Sequence, residues 1–251
     1  MLPAQPNQSL IDGLRCLQAA ATRSAPAGSR EIGRLLGLEP TRANRLLKTL
    51  AHMGILRQNP ARKYEAGPGM HVLAAQSLYA SGLMRRALPQ LEALARHGMV
   101  VALGVLWEDR VSYLYHALPG MSAAEAFGRV TVYPALASSI GLALLAEAPE
   151  REVRTRFRGK PLGRFGTIGR LLAELRHTRK RGHALVGRAN GYVSLAVAVG
   201  APAEAAIALA GDVPRGKTPE LIAALRAGAT AMCPSRPQRA RTKKRISNVE
   251  H

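Results

Sequence analysis

Between residues 29 and 67 the chain is punctuated so closely that few arrangements of short elements fit it. Ser29 suits the N-cap of a helix over 30–36. Gly37 closes that helix, because glycine enters the left-handed conformation at a helix end without a Cβ penalty. Pro40 then falls in the first turn of a third helix, where its missing N–H breaks no hydrogen bond. This helix runs to about Met53, with Ala43, Leu46, Leu47 and Leu50 inward and Gly54 after it. Ile55-Leu56-Arg57 and Tyr64-Glu65-Ala66-Gly67 flank a basic, Pro-containing turn from Gln58 to Lys63, the pattern of a hairpin. Upstream, 9–23 reads as a helix capped by Ser9, with Leu10, Ile11, Leu14, Leu17 and Ala21 on one face.

Helix, helix, turn, helix, hairpin is the winged helix-turn-helix arrangement. Its third helix carries Thr41, Asn44, Arg45 and Lys48 on one stripe, with Arg42 at the edge and Leu46 and Leu50 behind. An apolar back and an Arg/Asn front suit the major groove. Arginine bridges guanine O6 and N7, and asparagine bridges adenine N6 and N7. Thr41, Arg42, Asn44 and Arg45 are therefore expected to contact bases, since the N-terminal residues of such a helix reach them. Lys48 is expected on phosphate. The wing offers Arg57, Arg62, Lys63 and Tyr64 to the backbone or minor groove. Ser29 and Arg30, at a helix start, are further phosphate candidates.

Beyond Gly67-Pro68-Gly69 a helical pattern over 70–97 reads as a linker helix that can pair with another copy, kinked or broken at Pro89. From Met99 the period changes to alternation: Val101, Leu103, Val105 and Trp107, then Val111, Tyr113 and Tyr115 around the turn 108–110. Helices are expected at 137–146, 149–156, 167–181 and 219–231, and strands at 183–187, 192–199 and 205–210. Mixed helices and hairpin-linked strands give an α+β class. The expected domains are 9–67 for DNA binding, 68–98 as linker, 99–232 as a second domain and 233–251 as a disordered basic tail.

Charge sets the partner. The chain holds 36 Lys+Arg against 16 Asp+Glu, a formal +20, which favours a polyanion, nucleic acid before membrane. Residues 1–78 carry 10 basic and 4 acidic residues, 79–232 carry 20 and 11, and the last 19 carry 6 and 1. Two cysteines give no disulfide framework and no signal peptide is legible, so a cytoplasmic setting is expected. The longest apolar stretch, 134–146, is too short for a membrane span.

Other chemistries fare poorly. Gly211-Asp-Val-Pro-Arg-Gly-Lys217-Thr218 matches the phosphate-loop pattern letter for letter. Pro214 removes an N–H from a loop whose function is to present them, Thr218-Pro219 reads as N-cap and N1, and 33 residues leave no room for further parallel strands. The seven histidines show no zinc spacing. No nucleophile-base signature is present, so no enzyme, metal or cofactor is expected.

Residues 9–67 resemble the DNA-binding domain of IclR-type bacterial transcriptional regulators. The resemblance rests on Ser29-Arg-Glu-Ile-Gly-Arg-Leu-Leu-Gly-Leu38, Thr41-Arg-Ala-Asn-Arg-Leu-Leu-Lys-Thr-Leu50, Gly54-Ile-Leu56 and Tyr64-Glu-Ala-Gly67. It extends to 133–146 and 171–184, and covers about 9–232. It implies a linker helix, a GAF-like effector domain with a mixed antiparallel sheet, and operator binding as a homodimer or dimer of dimers under a small organic effector. It places the effector pocket at Ser138, Ser139, Ile140, Val186, Ser194, Ala208 and Ala210. The chain departs from the family's pattern here. Leu142 stands where a Lys is common, Val186 where keto-acid binders carry Asp, Ser194 where a pocket Cys falls, and Ala208 and Ala210 where hydroxyls fall. An unmade buried hydrogen bond costs ~1–3 kcal/mol. The expected effector is therefore apolar or aromatic, unless the pocket has lost its ligand. The alternative reading is a sequence-indifferent nucleic-acid-binding protein with a degenerate effector pocket.

Overall fold

The computed structural model describes residues 5–128, 132–187, 191–214 and 216–233. Of the expected basic tail only Cys233 is among them; 234–251 lie outside the described residues.

The N-terminal unit comprises α1 (Gln8–Ala21), β1 (Ala27–Gly28), α2 (Ser29–Leu36), α3 (Pro40–His52), β2 (Leu56–Gln58) and β3 (Lys63–Ala66). The expected order holds, with one addition: Ala27 and Gly28 pair antiparallel with β3, giving a sheet of order β1-β3-β2. Two caps differ. Asn7, not Ser9, caps α1, its side chain accepting from the Leu10 N–H. Ser29 is the first residue of α2 behind Gly28. Gly37 has φ 66° and closes α2 as expected.

The buried stripe of α1 is Asp12, Cys16, Ala19 and Ala20, while Leu10 and Leu14 are exposed. Cys16, Ala19 and Ala20 form one core with Ala27, Ile32, Leu47, Leu56 and Tyr64. Of the face read from sequence, Leu17 packs against this core and Ile11 and Ala21 are half-buried, but Leu10 and Leu14 are not covered, so the packed face is rotated toward Asp12 and Cys16.

The expected linker is two helices, α4 (Pro68–Ser81) and α5 (Leu83–Ala95), parted at Gly82 with φ 60°. Arg86 fixes the bend. Its guanidinium donates to the Ser81 carbonyl (2.7 Å) and the Met232 carbonyl (2.7 Å), and pairs with Glu204 (2.6 Å). Pro89 sits inside α5 without ending it. It and Arg85, one turn back, are exposed, so the carbonyl Pro89 leaves without a partner faces solvent.

The second unit is a six-stranded antiparallel sheet of order β6-β5-β4-β9-β8-β7. Its strands are β4 (Val100–Trp107), β5 (Arg110–Ala117), β6 (Val132–Pro134), β7 (Ala184–Gly187), β8 (Tyr192–Val199) and β9 (Ala205–Asp212). A short helix α6 (Ala123–Ala126) and strand β6 had no sequence forecast.

Helices α7 (Ser139–Glu147), α8 (Glu150–Arg156), α9 (Ile168–Arg181) and α10 (Thr218–Met232) complete it. Alternation assigns the sheet's two faces. Leu103, Leu195, Ile207 and Leu209 point toward Leu91 of α5 and Leu225 of α10. Ala102, Ala196, Ala206 and Ala208 point toward α7 and α9. The bulk lies on one face and the alanines on the other, which leaves room for α7, buried from Ser139 to Ala146, to lie close to the sheet. Gly141 is required by that fit: a Cβ there would stand 2.2 Å from the Ala135 carbonyl oxygen.

The phosphate-loop pattern is not built as such a loop. Strand β9 is antiparallel to both neighbours, and Lys217 is held by Glu220 at 2.7 Å. Helix α10 begins at Thr218 with Pro219 second, one residue earlier than the reading of Thr218 as cap, and Arg215 lies outside the described residues. No described helix is long and apolar enough to cross a membrane.

Candidate nucleic-acid interface and effector cavity

Helix α3 starts where Glu39 accepts the Arg42 N–H at 2.9 Å. Hydrogen bonds from the backbone at Thr41 and Arg42 hold the Glu39 carboxyl below the usual carboxylate range. Ala43 and Leu47 anchor the helix in the core, which turns Thr41, Arg45 and Lys48 to solvent. No described residue pairs with the Arg45 or Lys48 side chains, so both cations are available to an outside anion.

The remaining α3 candidates are engaged. Arg42 forms an ion pair at 2.8 Å with Asp12, whose side chain is 4% exposed and which also accepts from Gln8 at 2.8 Å. Arg42 thus ties α3 to α1 instead of projecting freely as a base reader. Asn44 is half-buried, and the Tyr64 hydroxyl points to its Oδ1 at 3.5 Å. Tyr64 itself is fully buried, so the expectation of a wing contact fails for it. The alternation of β3 turns it inward while Lys63 faces out.

The wing is a tight turn. Asn59 N–H donates to the Lys63 carbonyl and Arg62 N–H to the Asn59 carbonyl, both at 2.9 Å, and the Asn59 side chain accepts the Lys63 N–H at 3.0 Å. Arg62 takes φ 57°, a conformation that normally favours glycine, and is exposed beside Lys63. Arg57 pairs with its cross-strand neighbour Glu65 at 2.7 Å, so its charge is partly neutralised within the hairpin. Arg30 is exposed at the start of α2 and Ser29 is half-buried beside it.

In the second unit a cavity of about 300 Å³ opens between the alanine face of the sheet and the start of α7. Ser138, Ser139, Val186, Ser194, Ala208 and Ala210 all line it, as expected from sequence. Ile140 does not; it is core, packed beside Gly104. The lining also includes Tyr113, His116, Tyr133 and Tyr192, which the sequence reading missed. The expectation of a polar-poor pocket is therefore overturned.

The hydroxyls form two pairs: Tyr113 Oη with Ser138 Oγ at 3.2 Å, and Ser139 Oγ with Ser194 Oγ at 2.6 Å. Ser138 also caps α7 by accepting the Gly141 N–H at 3.3 Å. Burial pushes the Tyr113 phenol up, so it stays neutral and can donate. The His116 ring meets Tyr113 edge-on, centroids 5.5 Å apart. The cavity thus offers aromatic walls, ordered hydroxyls and a helix N-terminus, with no Lys or Arg among the described residues of its lining.

The missed tyrosine has a structural cause. The β4–β5 register shifts at Leu103/Gly104, so Tyr113 pairs with Gly104 and Tyr115 with Leu103. Val111 and Tyr113 face α7, whereas Tyr115 and Ala117 face α5 and α10. An irregularity of this kind swaps faces mid-strand, and strict alternation cannot show it.

With this geometry the comparisons are specific. Residues 75–234 match the family model described as "Bacterial transcriptional regulator IclR C-terminal", and residues 10–60 match the "IclR helix-turn-helix domain". The chain is 31% identical over 162 residues to the HTH-type transcriptional regulator BhcR of Paracoccus denitrificans, covering 62% of this chain and 58% of that one. It is 28% identical over 191 residues to the HTH-type transcriptional regulator XynR of Escherichia coli, covering 73% and 75%. Among solved structures, an IclR family transcriptional regulator from Brucella abortus superposes with a TM-score of 0.72 at 23% identity, covering 91% of this chain and 92% of that one. An IclR homolog complexed with 4-hydroxybenzoate from Microbacterium hydrocarbonoxydans gives 0.64 at 21%, covering 90% and 97%. At these identities the structural likeness concerns the fold.

Proposed function

Since the chain belongs to the IclR family of bacterial transcriptional regulators, we propose that it binds an operator in duplex DNA as a homodimer and that a small aromatic ligand in the cavity controls that binding. The observation that carries the DNA half is the exposed edge of Thr41, Arg45 and Lys48 on a helix whose back is locked into a core. Thr41 and Arg45, with the open side of Asn44, read base edges. Lys48, Arg62, Lys63, Arg30 and Ser29 hold phosphates, and Arg57 contributes less because Glu65 faces it. Enrichment of duplexes from a random pool by the full chain is expected to yield one roughly palindromic sequence. Recovery of no preferred sequence would favour a sequence-indifferent binder.

Helix α4 supports the homodimer. It has no buried residue, yet Val72, Leu73, Leu78 and Tyr79 are exposed along it. An apolar helix left uncovered needs a partner, and the exposed Leu10 and Leu14 of α1 add to the apolar surface. A second copy covers this helix in our reading, either as a dimer or within a dimer of dimers. Leu73→Glu with Leu78→Glu is expected to weaken dimerisation at least tenfold by sedimentation equilibrium. A wild type that stays monomeric at tens of micromolar would reject the pairing.

For the effector, a cavity of about 300 Å³ lies at the small end of ligand pockets and suits a single ring. The aromatic walls favour a ring, and the Ser138/Ser139 end of α7 favours a carboxylate or phenol oxygen. The relative complexed with 4-hydroxybenzoate makes that compound the probe. Calorimetry is expected to show binding of 4-hydroxybenzoate and not of pyruvate, with Tyr113→Phe weakening it by one lost hydrogen bond, about 1 kcal/mol or fivefold. Tight pyruvate binding with none of the aromatic acid would overturn the ligand class. Occupancy then shifts DNA affinity by a coupling of about 1–3 kcal/mol.

A further inference from the structure

The positive charge of the second unit is not spread over it. Residues 150–182, which span α8 and α9, carry 11 basic and 3 acidic residues, whereas the rest of 79–232 carries 9 and 8. The unit's excess is therefore almost wholly the property of two helices and the turn between them.

Some of these cations have internal work. Arg176 pairs with Glu150 and so ties α9 to the start of α8. Lys160 pairs with Asp109, and Arg181 with Glu174. Arg156 donates to the Glu108 carbonyl, and Arg179 to the carbonyls of Ala146 and Ala148. Those contacts engage Glu150 and Glu174, two of the three acids of the stretch, and Asp109 outside it; the third acid, Glu152, is half-buried on α8.

Arg151, Arg154, Arg158, Arg164, Arg170 and Lys180 are left over. All six are exposed, and among the described residues their side chains make no ion pair or hydrogen bond; Arg164 only lies over the Phe165 ring, 5.0 Å from its centroid. Their placement is patterned. On α9, Leu171, Leu172, Leu175 and Thr178 are buried, which turns Arg170, His177 and Lys180 onto the opposite, solvent stripe. On α8, Val153 is the buried pivot, with Arg151 and Arg154 outside it. Like charges at i,i+4, such as Arg176/Lys180 on α9, destabilise a helix. A partner of opposite charge offsets that repulsion.

We propose that the α8–α9 face is a second DNA-contact surface, which grips duplex flanking the operator through phosphates alone. Duplex DNA is the occupant because the charge complementarity is to a regular polyanion, and because flanking duplex is tethered to any operator that α3 holds. Tethering raises its effective concentration, so individually weak phosphate contacts count. This inference rests on the proposed DNA-binding reading for its partner, not on the operator's sequence.

The test uses the full chain and three duplexes: a selected site on a short duplex, the same site within about 100 base pairs, and a random duplex of the longer length. The Ala variant replaces Arg151, Arg154, Arg170 and Lys180 by Ala; the Lys variant replaces the three arginines by Lys. On both long duplexes the Ala variant should lower the slope of log affinity against log salt by about 2–4, at roughly 0.9 per lost phosphate contact. On the short duplex the slope should not change, and the Lys variant should behave as wild type throughout. Preference for the selected over the random duplex should survive in both variants; if the wild type itself lacks that preference, it is the α3 reading that fails, and the long random duplex still judges this face. An unchanged slope on long duplexes overturns the proposal. So does a loss confined to anionic phosphatidylglycerol vesicles, which would assign the face to a lipid surface.

Discussion

Replacing Arg45 and Lys48 together by Ala is expected to weaken binding to a selected operator duplex by about 100-fold or more while leaving the melting temperature unchanged. The two side chains are exposed and make no ion pair or hydrogen bond among the described residues, so their removal exposes no core and orphans no described partner. A bidentate arginine–base contact carries about 1–3 kcal/mol of discrimination, and a lost phosphate contact flattens the salt slope by about 1. The variant's residual affinity should then approach its affinity for random duplex. Arg42→Ala should behave differently. It leaves the buried Asp12 carboxylate without its cation, so stability and affinity should fall together. The expected loss is about 1–2 kcal/mol, below that of a fully buried pair, because the Arg42 side chain is 39% exposed to solvent screening. Urea titration beside fluorescence-anisotropy binding separates the two cases. Full operator affinity in a folded Arg45→Ala/Lys48→Ala protein would remove α3 as the reading element.

The contrast between Arg45 and Arg42 also shows what could be read from residues alone. Gly37, Pro40 and Gly54 are local devices, and they delimit α2 and α3 in the structure where the sequence puts them. The strands 192–199 and 205–212 and helices α7 to α10 follow for the same reason: their signals lie within one turn or one alternation. The failures are long-range. Asp12 looks like a surface residue of α1 until Arg42, thirty positions on, pairs with it and turns Leu10 and Leu14 outward. The bend at Gly82 is stabilised by Arg86 reaching Met232 and Glu204, contacts invisible to a search that sees only a proline at 89. Half of the cavity was legible through resemblance, at Ser138, Ser139, Val186, Ser194, Ala208 and Ala210. Its aromatic half was not. The face of Tyr113 is set by a register shift, and Tyr133 and Tyr192 come from strands at or beside the ends of the sheet.

Tyr64 gives the largest stability effect, and its two variants decide between core and wing. Its ring is fully buried among Cys16, Ile32, Leu47 and Leu56, where α1, α2, α3 and the hairpin converge. Truncating a buried aromatic to Ala costs about 3–5 kcal/mol through lost burial and the cavity left behind. A head of some sixty residues has little more stability than that. Tyr64→Ala should therefore unfold the N-terminal unit near 37 °C while the six-stranded sheet, with its separate cores, stays folded. The thermal trace should become biphasic, protease should cut within 8–66, and operator binding should vanish. Tyr64→Phe keeps the ring and gives up only a 3.5 Å contact from the hydroxyl to Asn44, at the weak end of hydrogen bonding. It should cost under about 1 kcal/mol and retain operator affinity within a fewfold. A Tyr64 that instead touched DNA would give the reverse pattern: Ala and Phe variants equally folded, with graded losses of affinity. A cooperative, wild-type-like melt for Tyr64→Ala would show that the head's core is not organised around this ring.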